Sequence, residues 1–233
     1  MKIHVAGENA LIVYFSDHVS EQTTKWIQHI THELKSYMGN QIIDLVPSYA
    51  SLLVLFDPLK TDHLYIRQLI RQAYIKGENT IQSIERSLIR LPVYYGYETS
   101  PDLSNVAQLN KLKPEDVIDL HQAKTYQVYA IGFAPGFAYL GETDERIATA
   151  RLSTPRKKVP KGAVAIADRQ TAVYPASSPG GWNLIGCCPT PMFNPNVDPC
   201  MPLQAGDSVQ FYAITKQEFI ELGGTFDDWG LLA

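Results

Sequence analysis

The sequence predicts an α+β protein in two parts. A small α+β domain is expected over residues 1–85, followed by a β-barrel or sandwich over residues 86–233. Three observations predict this. Strand-like and helix-like patterns alternate in the first third of the chain. A polar stretch near Asn79 to Ser87 separates that third from the rest. From Tyr126 onward, short apolar runs alternate with Gly- and Pro-rich loops, as in an all-β unit.

In the first part, Ile3 to Val5 and Ala10 to Phe15 are apolar runs split by Gly7-Glu8-Asn9, which reads as a hairpin. Ser20-Glu21-Gln22-Thr23 is placed to cap a helix carrying Trp26, Ile27, Ile30 and Leu34 at helical spacing, ended by Gly39-Asn40. Ile42 to Val46 and Ser51 to Phe56 are strands with a turn at Pro47-Ser48-Tyr49. Asp57-Pro58 stops the second of them, and Leu64 to Lys76 is a second helix closed by Gly77. Two helices on an antiparallel sheet of about four strands is the expected arrangement.

In the second part, Leu88 to Tyr95 is a strand and Leu103 to Leu109 a short helix. Pro114 sits in a tolerated first-turn position of another helix, and Glu115 and Asp116 favour its positive end; that helix ends near His121. Five short strands follow: Tyr126 to Gly132, Ala163 to Ala167, Thr171 to Tyr174, Trp182 to Gly186 and Ser208 to Ile214. The aromatic-containing tail from Phe226 to Ala233 is expected to dock on a surface.

Bulk composition excludes some classes. With 45% hydrophobic and 19% charged residues, the 233-residue chain can form an ordinary core. A net charge of −4 argues against nucleic acid as a partner. The run Met1 to Gly7 has no basic-then-apolar leader pattern, and no apolar stretch is long enough to span a bilayer, so a cytoplasmic protein is expected. Cys187, Cys188 and Cys200 lack zinc-site spacing and read as reduced thiols; no metal site is expected. A P-loop, a nucleophile-elbow motif and a paired-His metal motif are all missing.

Three loops carry unusual residues. In the first, Pro135-Gly136 suits the centre of a type II turn, with Phe133, Phe137 and Tyr139 crowded around it as the wall of a pocket or a docking surface. In the second, Arg156, Lys157 and Lys158 lie between Pro155 and Pro160, and Lys161 follows directly. Arg156 has the paired donors to hold a carboxylate or phosphate. The third runs Gln170-Thr171-Ala172-Val173-Tyr174, then Ser178-Pro179-Gly180-Gly181-Trp182. Gln170 offers a donor and an acceptor, Tyr174 a hydroxyl, and the two glycines a backbone that a ligand can approach. One barrel mouth could collect all three loops. His121, at a helix end, is a candidate for moving a proton.

These residues resemble the KipI/PxpB family, that of the 5-oxoprolinase B-subunit, also called allophanate hydrolase subunit 1. The likeness rests on residues 132–141, 155–156, 170–175 and 178–186. Gly7-Glu8-Asn9-Ala10, Pro101-Asp102-Leu103 and Gly206-Asp207 extend it over nearly the whole chain. The resemblance implies a cyclophilin-like β-barrel after the N-terminal domain. It also implies partners: a C-subunit of the same family with a similar barrel, and a lactam-opening A-subunit. The complex would hydrolyse 5-oxoproline to glutamate with ATP, held by a member that the resemblance does not specify; this chain alone would be inactive. In that setting Arg156, Gln170 and His121 are the expected catalytic residues. The expected substrate-binding residues are Phe133, Pro135, Gly136, Phe137, Tyr139, Lys161, Thr171, Tyr174, Ser178, Pro179, Gly180, Gly181 and Trp182. Asp168-Arg169 departs from the small residues that the family carries before Gln-Thr, and these charges are expected to narrow the pocket or to pair with each other.

Two other functions fit the same resemblance: a KipI-like inhibitor of a sporulation histidine kinase, and an accessory subunit of a urea amidolyase or allophanate hydrolase system. In the latter the biotin carrier is another chain or domain, because the only Met-Lys here is Met1-Lys2.

Overall fold

A computed structural model describes residues 1–77 and 88–230. The expected boundary, Asn79 to Ser87, lies outside the described residues. The chain divides into two compact units, Met1–Arg86 and Ser87–Ala233.

In the first unit, β1 (Lys2–Val5) and β2 (Ala10–Tyr14) form the expected hairpin, with β3 (Ile42–Pro47) and β4 (Ser51–Phe56) completing an antiparallel sheet in the order β1-β2-β4-β3. Helix α1 (Glu21–Met38) starts where its cap predicts: the Ser20 hydroxyl accepts from the Thr23 amide at 3.1 Å, satisfying one orphan donor of the first turn. Gly39, at φ 48, ends it. Helix α2 (His63–Gly77) packs on α1, and the ring of Trp26 stacks on Tyr74 with centroids 4.1 Å apart. Leu11, Val13, Leu52, Val54 and Phe56 bury one face of the sheet beneath Ile30, Leu34, Ile66 and Ile70 of the helices.

The second unit is one seven-stranded sheet. It comprises β5 (Leu88–Val93), β6 (Thr125–Ile131), β7 (Ala138–Gly141), β9 (Ala163–Ala167), β10 (Gln170–Val173), β12 (Asn183–Cys187) and β13 (Ser208–Ala213), in the order β12-β9-β10-β7-β6-β13-β5. A two-stranded ribbon of β8 (Arg156–Val159) and β11 (Ser178–Gly180) stands beside it. Of the barrel and sandwich alternatives, the chain takes the barrel-like one. The sheet curls until the ends of its two edge strands meet at Tyr94 and Cys187, which exchange both backbone hydrogen bonds at 2.9 Å. β5 pairs with β13 in parallel, whereas the other pairings of the sheet are antiparallel.

Alternation of side chains gives this sheet two cores. Leu91, Val93, Tyr126, Val128, Leu140, Val164, Ile166, Val173, Val209 and Phe211 fill the inside, joined by Leu103 and Val106 of α3 (Leu103–Leu109) and Val117 of α4 (Pro114–Ala123). The outer face carries Phe137, Ala163, Ala165, Ala167, Ala172, Tyr174, Trp182 and Leu184. Phe219 of α5 (Lys216–Glu221) covers part of it, as do Phe226 and Trp229 of the tail. All five residues of β9 are buried, and the outward ones are alanines. Strands β7, β8 and β11 and helix α5 form where no regular element is expected. Each has three to six residues, too few for a period to register.

Candidate functional site

Strand parity decides which candidate residues can share a site. On β10, Thr171 and Val173 face the inner core, while Ala172 and the following Tyr174 belong to the outer one. Gln170 has the parity of the outer set and is half-buried. The candidates therefore divide between the two sides of one sheet.

On the inner side, His121 is fully buried, with both ring nitrogens engaged. Thr171 Oγ1 donates to the Ala165 carbonyl at 3.0 Å, so it accepts from His121 Nε2 at 2.9 Å. The remaining nitrogen, Nδ1, then accepts from the Tyr95 hydroxyl at 2.8 Å. This chain of donors fixes the neutral Nε2-protonated tautomer. The Phe211 ring stacks on the imidazole at 4.6 Å. Burial holds the His121 pKa down at about 3. His121 and Thr171 thus form a satisfied core network, which departs from the proton-moving and substrate-binding roles expected of them.

The outer side collects the aromatic residues of separate loops. Phe137 lies edge-on to Tyr139 at 4.9 Å, Tyr174 at 5.3 Å and Trp182 at 5.7 Å. The turn that positions Phe137 is the expected one. The Phe137 amide donates to the Ala134 carbonyl at 3.0 Å, and Gly136 takes φ 82 at the second central position after Pro135. Phe133, 66% exposed at φ 70, leans on Phe137 at 5.3 Å. Gly180 of β11 pairs with Arg156 of β8, so the second and third loops meet in the small ribbon. A Cβ at Gly180 would lie 2.3 Å from the Tyr174 hydroxyl. Pro179 is exposed, while Ser178 and Gly181 are half-buried.

Arg156 is not a free cation. Its Nη2 donates to Asp102 Oδ1 at 2.6 Å, and the other carboxylate oxygen of Asp102 accepts the Leu184 amide at 2.7 Å. Asp102, at the start of α3, therefore takes up the charge that the sequence offers for a ligand. Arg151 stands nearby instead. Its guanidinium lies 5.7 Å over the Trp182 ring, and its Nε is 3.9 Å from Asp168. Burial pushes the Tyr174 hydroxyl up to about 12, against the opposing pull of Arg151 and Arg156. Arg151 sits outside the Gly- and Pro-rich motifs, and Asp102 falls in Pro101-Asp102-Leu103, a stretch that carries the family likeness but does not reveal the acid's partner.

Asp168 and Arg169 form the turn between β9 and β10. They do not pair with each other as expected. Arg169 reaches Glu142 at 2.7 Å and Glu145 at 3.1 Å, while Asp168 faces Arg151. Asp168 takes φ 52, the left-handed region, which gives a steric reason for small residues at such a turn.

Lys161 is exposed at the rim of a cavity of about 430 Å³ whose wall includes Tyr174, Cys187, Phe219 and Trp229. Lys158 is paired with Asp228 at 2.7 Å. Burial raises the pKa of the Cys187 and Cys188 thiols, which keeps them protonated at neutral pH. Among the described residues, no group of three or more His, Cys, Asp or Glu could hold a metal ion. No helix among them is long and apolar enough to cross a membrane.

Residues 1–203 match the family model described as "Carboxyltransferase domain, subdomain C and D". A protein named as the B-subunit of 5-oxoprolinase, from Bacillus subtilis (strain 168), is 36% identical over 232 residues, covering 94% of this chain and 95% of the relative. The protein of that name from Haemophilus influenzae is 36% identical over 91% of this chain and 97% of its own length. One from Escherichia coli O157:H7 is 33% identical over 90% of this chain and 94% of its own length. The chain belongs to the 5-oxoprolinase B-subunit family.

Solved structures share the fold. TTHA0988 superposes with a TM-score of 0.78 at 31% identity over 90% of this family member, which spans 40% of the TTHA0988 chain. PH0987 from Pyrococcus horikoshii is 40% identical, with a TM-score of 0.55 over 94% of this chain and 100% of its own. The Kluyveromyces lactis urea amidolyase shares the fold at a TM-score of 0.69 and 17% identity, over 94% of this chain and 15% of its own.

Proposed function

We propose that this chain is one member of a cytoplasmic, ATP-dependent 5-oxoprolinase complex that converts 5-oxo-L-proline to L-glutamate. One observation carries the reading: three proteins named as the B-subunit of 5-oxoprolinase are 33–36% identical to it over at least 90% of its length. The remaining members of the complex are a C-subunit of the same family and an A-subunit that opens the lactam. This chain is inactive without them.

The chemistry explains the need for ATP. The lactam C–N bond is stabilised by amide resonance, and neutral water attacks it slowly. Transfer of the γ-phosphoryl group to the lactam oxygen, with ADP leaving, gives an imidate phosphate with an electrophilic ring carbon. Water adds there and the ring C–N bond breaks, leaving the amine and an acyl phosphate. A second water releases phosphate and the new carboxylate. Such a path needs groups that hold a carboxylate, hold phosphates and orient a water. The outer face supplies a floor of Phe137, Tyr139, Tyr174 and Trp182. Gln170, with the parity of that face, can orient the lactam or a water. Arg156, anchored by Asp102, holds the ribbon carrying Gly180 beside that floor.

The test is reconstitution. The chain is combined with its two partners, the A-subunit and the C-subunit, and ADP and glutamate are measured with and without 5-oxoproline. The expected result is ADP formation that depends on 5-oxoproline and matches glutamate release. ATP hydrolysis that ignores 5-oxoproline, with no glutamate formed, would sink the reading.

A further inference from the structure

We propose that Arg151 is the residue of this chain that takes an anionic oxygen group of the ligand, and that Asp168 competes for it and sets the affinity. This rests on the functional reading above and specifies which group on the outer face does the binding.

Two arginines, Arg151 and Arg156, act on Tyr174. Arg156 already has a carboxylate at 2.6 Å, and that carboxylate is held in turn by a backbone amide. A ligand anion would have to displace an internal, largely buried partner to use it. Arg151 has no such commitment. Its side chain is 58% exposed, and its ion pair with Asp168, at 3.9 Å between two exposed groups, is long and weakly held.

Arg151 is nevertheless placed. Its guanidinium lies 5.7 Å over the ring of Trp182. That indole is 5% exposed and fixed edge-on against Phe137, so the platform under the cation is rigid. The N–H donors of a guanidinium lie in its own plane and can meet a two-oxygen acceptor as a fork. Its in-plane fork matches a carboxylate or a phosphate better than it matches the single long contact to Asp168.

Asp168 occupies the position of a built-in competitor. It lies at the tip of the β9–β10 turn, two residues before Gln170, and its carboxylate is 67% exposed. Binding of a ligand anion to Arg151 exchanges one weak, solvated ion pair for a forked one. The shared chemistry is an anionic oxygen group, supplied by either the 5-oxoproline carboxylate or the ATP phosphates.

The experiment uses the reconstituted complex, with 5-oxoproline varied at saturating ATP and ATP varied at saturating 5-oxoproline. Three substitutions in this chain are compared with the unaltered chain: Arg151→Ala, Arg151→Lys and Asp168→Asn. Asparagine tolerates the left-handed backbone at 168 while removing the charge. Arg151→Ala is expected to raise one KM by about tenfold or more, with kcat within about twofold and the melting temperature unchanged. Arg151→Lys keeps the charge but not the fork and should recover part of the loss. Asp168→Asn should lower the same KM several-fold. A change in the 5-oxoproline KM assigns the carboxylate, and a change in the ATP KM assigns the phosphates; either supports the proposal. An active complex in which Arg151→Ala leaves both KM values unchanged, or lowers kcat only together with melting temperature, overturns the proposal and leaves the functional reading standing. A complex with the unaltered chain that ignores 5-oxoproline overturns both.

Discussion

Asp102 holds Arg156 and Leu184 at once, one carboxylate oxygen on the guanidinium at 2.6 Å and the other on the backbone amide at 2.7 Å. One acid at the head of α3 thereby fastens the β8 ribbon to strand β12 of the main sheet. The pair is mostly buried, so removing one partner strands the other. Asp102→Ala is expected to cost about 2–3 kcal/mol in denaturant unfolding. Arg156→Ala should cost less, because Asp102 keeps the Leu184 amide. The double variant should lose less than the sum, with a coupling of about 1 kcal/mol or more. Strict additivity would show that the two side chains do not act together.

Buried His121 predicts an acid-sensitive fold. Its folded-state pKa is about 3, depressed by burial from an ordinary value near 6.5. The sign follows from proton counting. Below about pH 6.5 the unfolded chain binds a proton at His121 that the folded chain does not bind, so stability falls as pH falls. The slope from this one group approaches about 1.4 kcal/mol per pH unit between the two pKa values. His121→Gln carries no titrating group and should unfold in urea with a shallower pH dependence between about pH 6 and 4. Equal slopes for the two proteins would contradict the burial argument.

Much of the fold was legible because its cues are local. The Ser20 cap, the strands Ser51–Phe56 and Ala163–Ala167, helix Leu103–Leu109 and the Pro135-Gly136 turn each follow from a few adjacent residues. The site was less legible, because it depends on pairings far apart in sequence. That Arg156 is taken by Asp102, 54 residues away, cannot be read from either motif. Strand parity also separates Thr171 from Gln170, so a motif contiguous in sequence is divided between two faces of the sheet. Arg151 belongs to no Gly-Pro motif and shows itself only through the ring of Trp182.

The glycines make a graded prediction. Gly136 sits at φ 82, and a Cβ there would lie 2.3 Å from the Met192 carbonyl oxygen, which is backbone and cannot easily move away. Gly136→Ala is therefore expected to lose about 2 kcal/mol or more, since strain and overlap add. At Gly180 the clash, also 2.3 Å, is with the Tyr174 hydroxyl, on a buried side chain fixed in the aromatic cluster. Gly180→Ala should cost about 1–3 kcal/mol and disturb the outer face. At Gly181 the nearest atoms stand at 3.6 Å, an ordinary contact. Gly181→Ala should therefore leave the melting temperature nearly unchanged. Thermal unfolding of the three variants side by side checks the order, and a Gly181→Ala chain as unstable as Gly136→Ala would contradict it.

Phe133 places an aromatic side chain where the backbone favours glycine. Its φ is 70, its ring is 66% exposed, and its packing is an edge-on contact with Phe137. A left-handed conformation costs a residue with a Cβ about 1 kcal/mol, whereas glycine adopts it freely. Two truncations separate strain from packing. Phe133→Ala and Phe133→Gly both remove the ring and lose the same contact with Phe137, but only glycine relieves the backbone. Phe133→Gly is therefore expected to be more stable than Phe133→Ala by about 1 kcal/mol, the reverse of the usual ranking of these two residues. Chemical denaturation of both variants measures the difference. An alanine variant equal to or more stable than the glycine one would mean that the turn relaxes once the ring is gone, and that the strain belongs to the phenylalanine rather than to the loop.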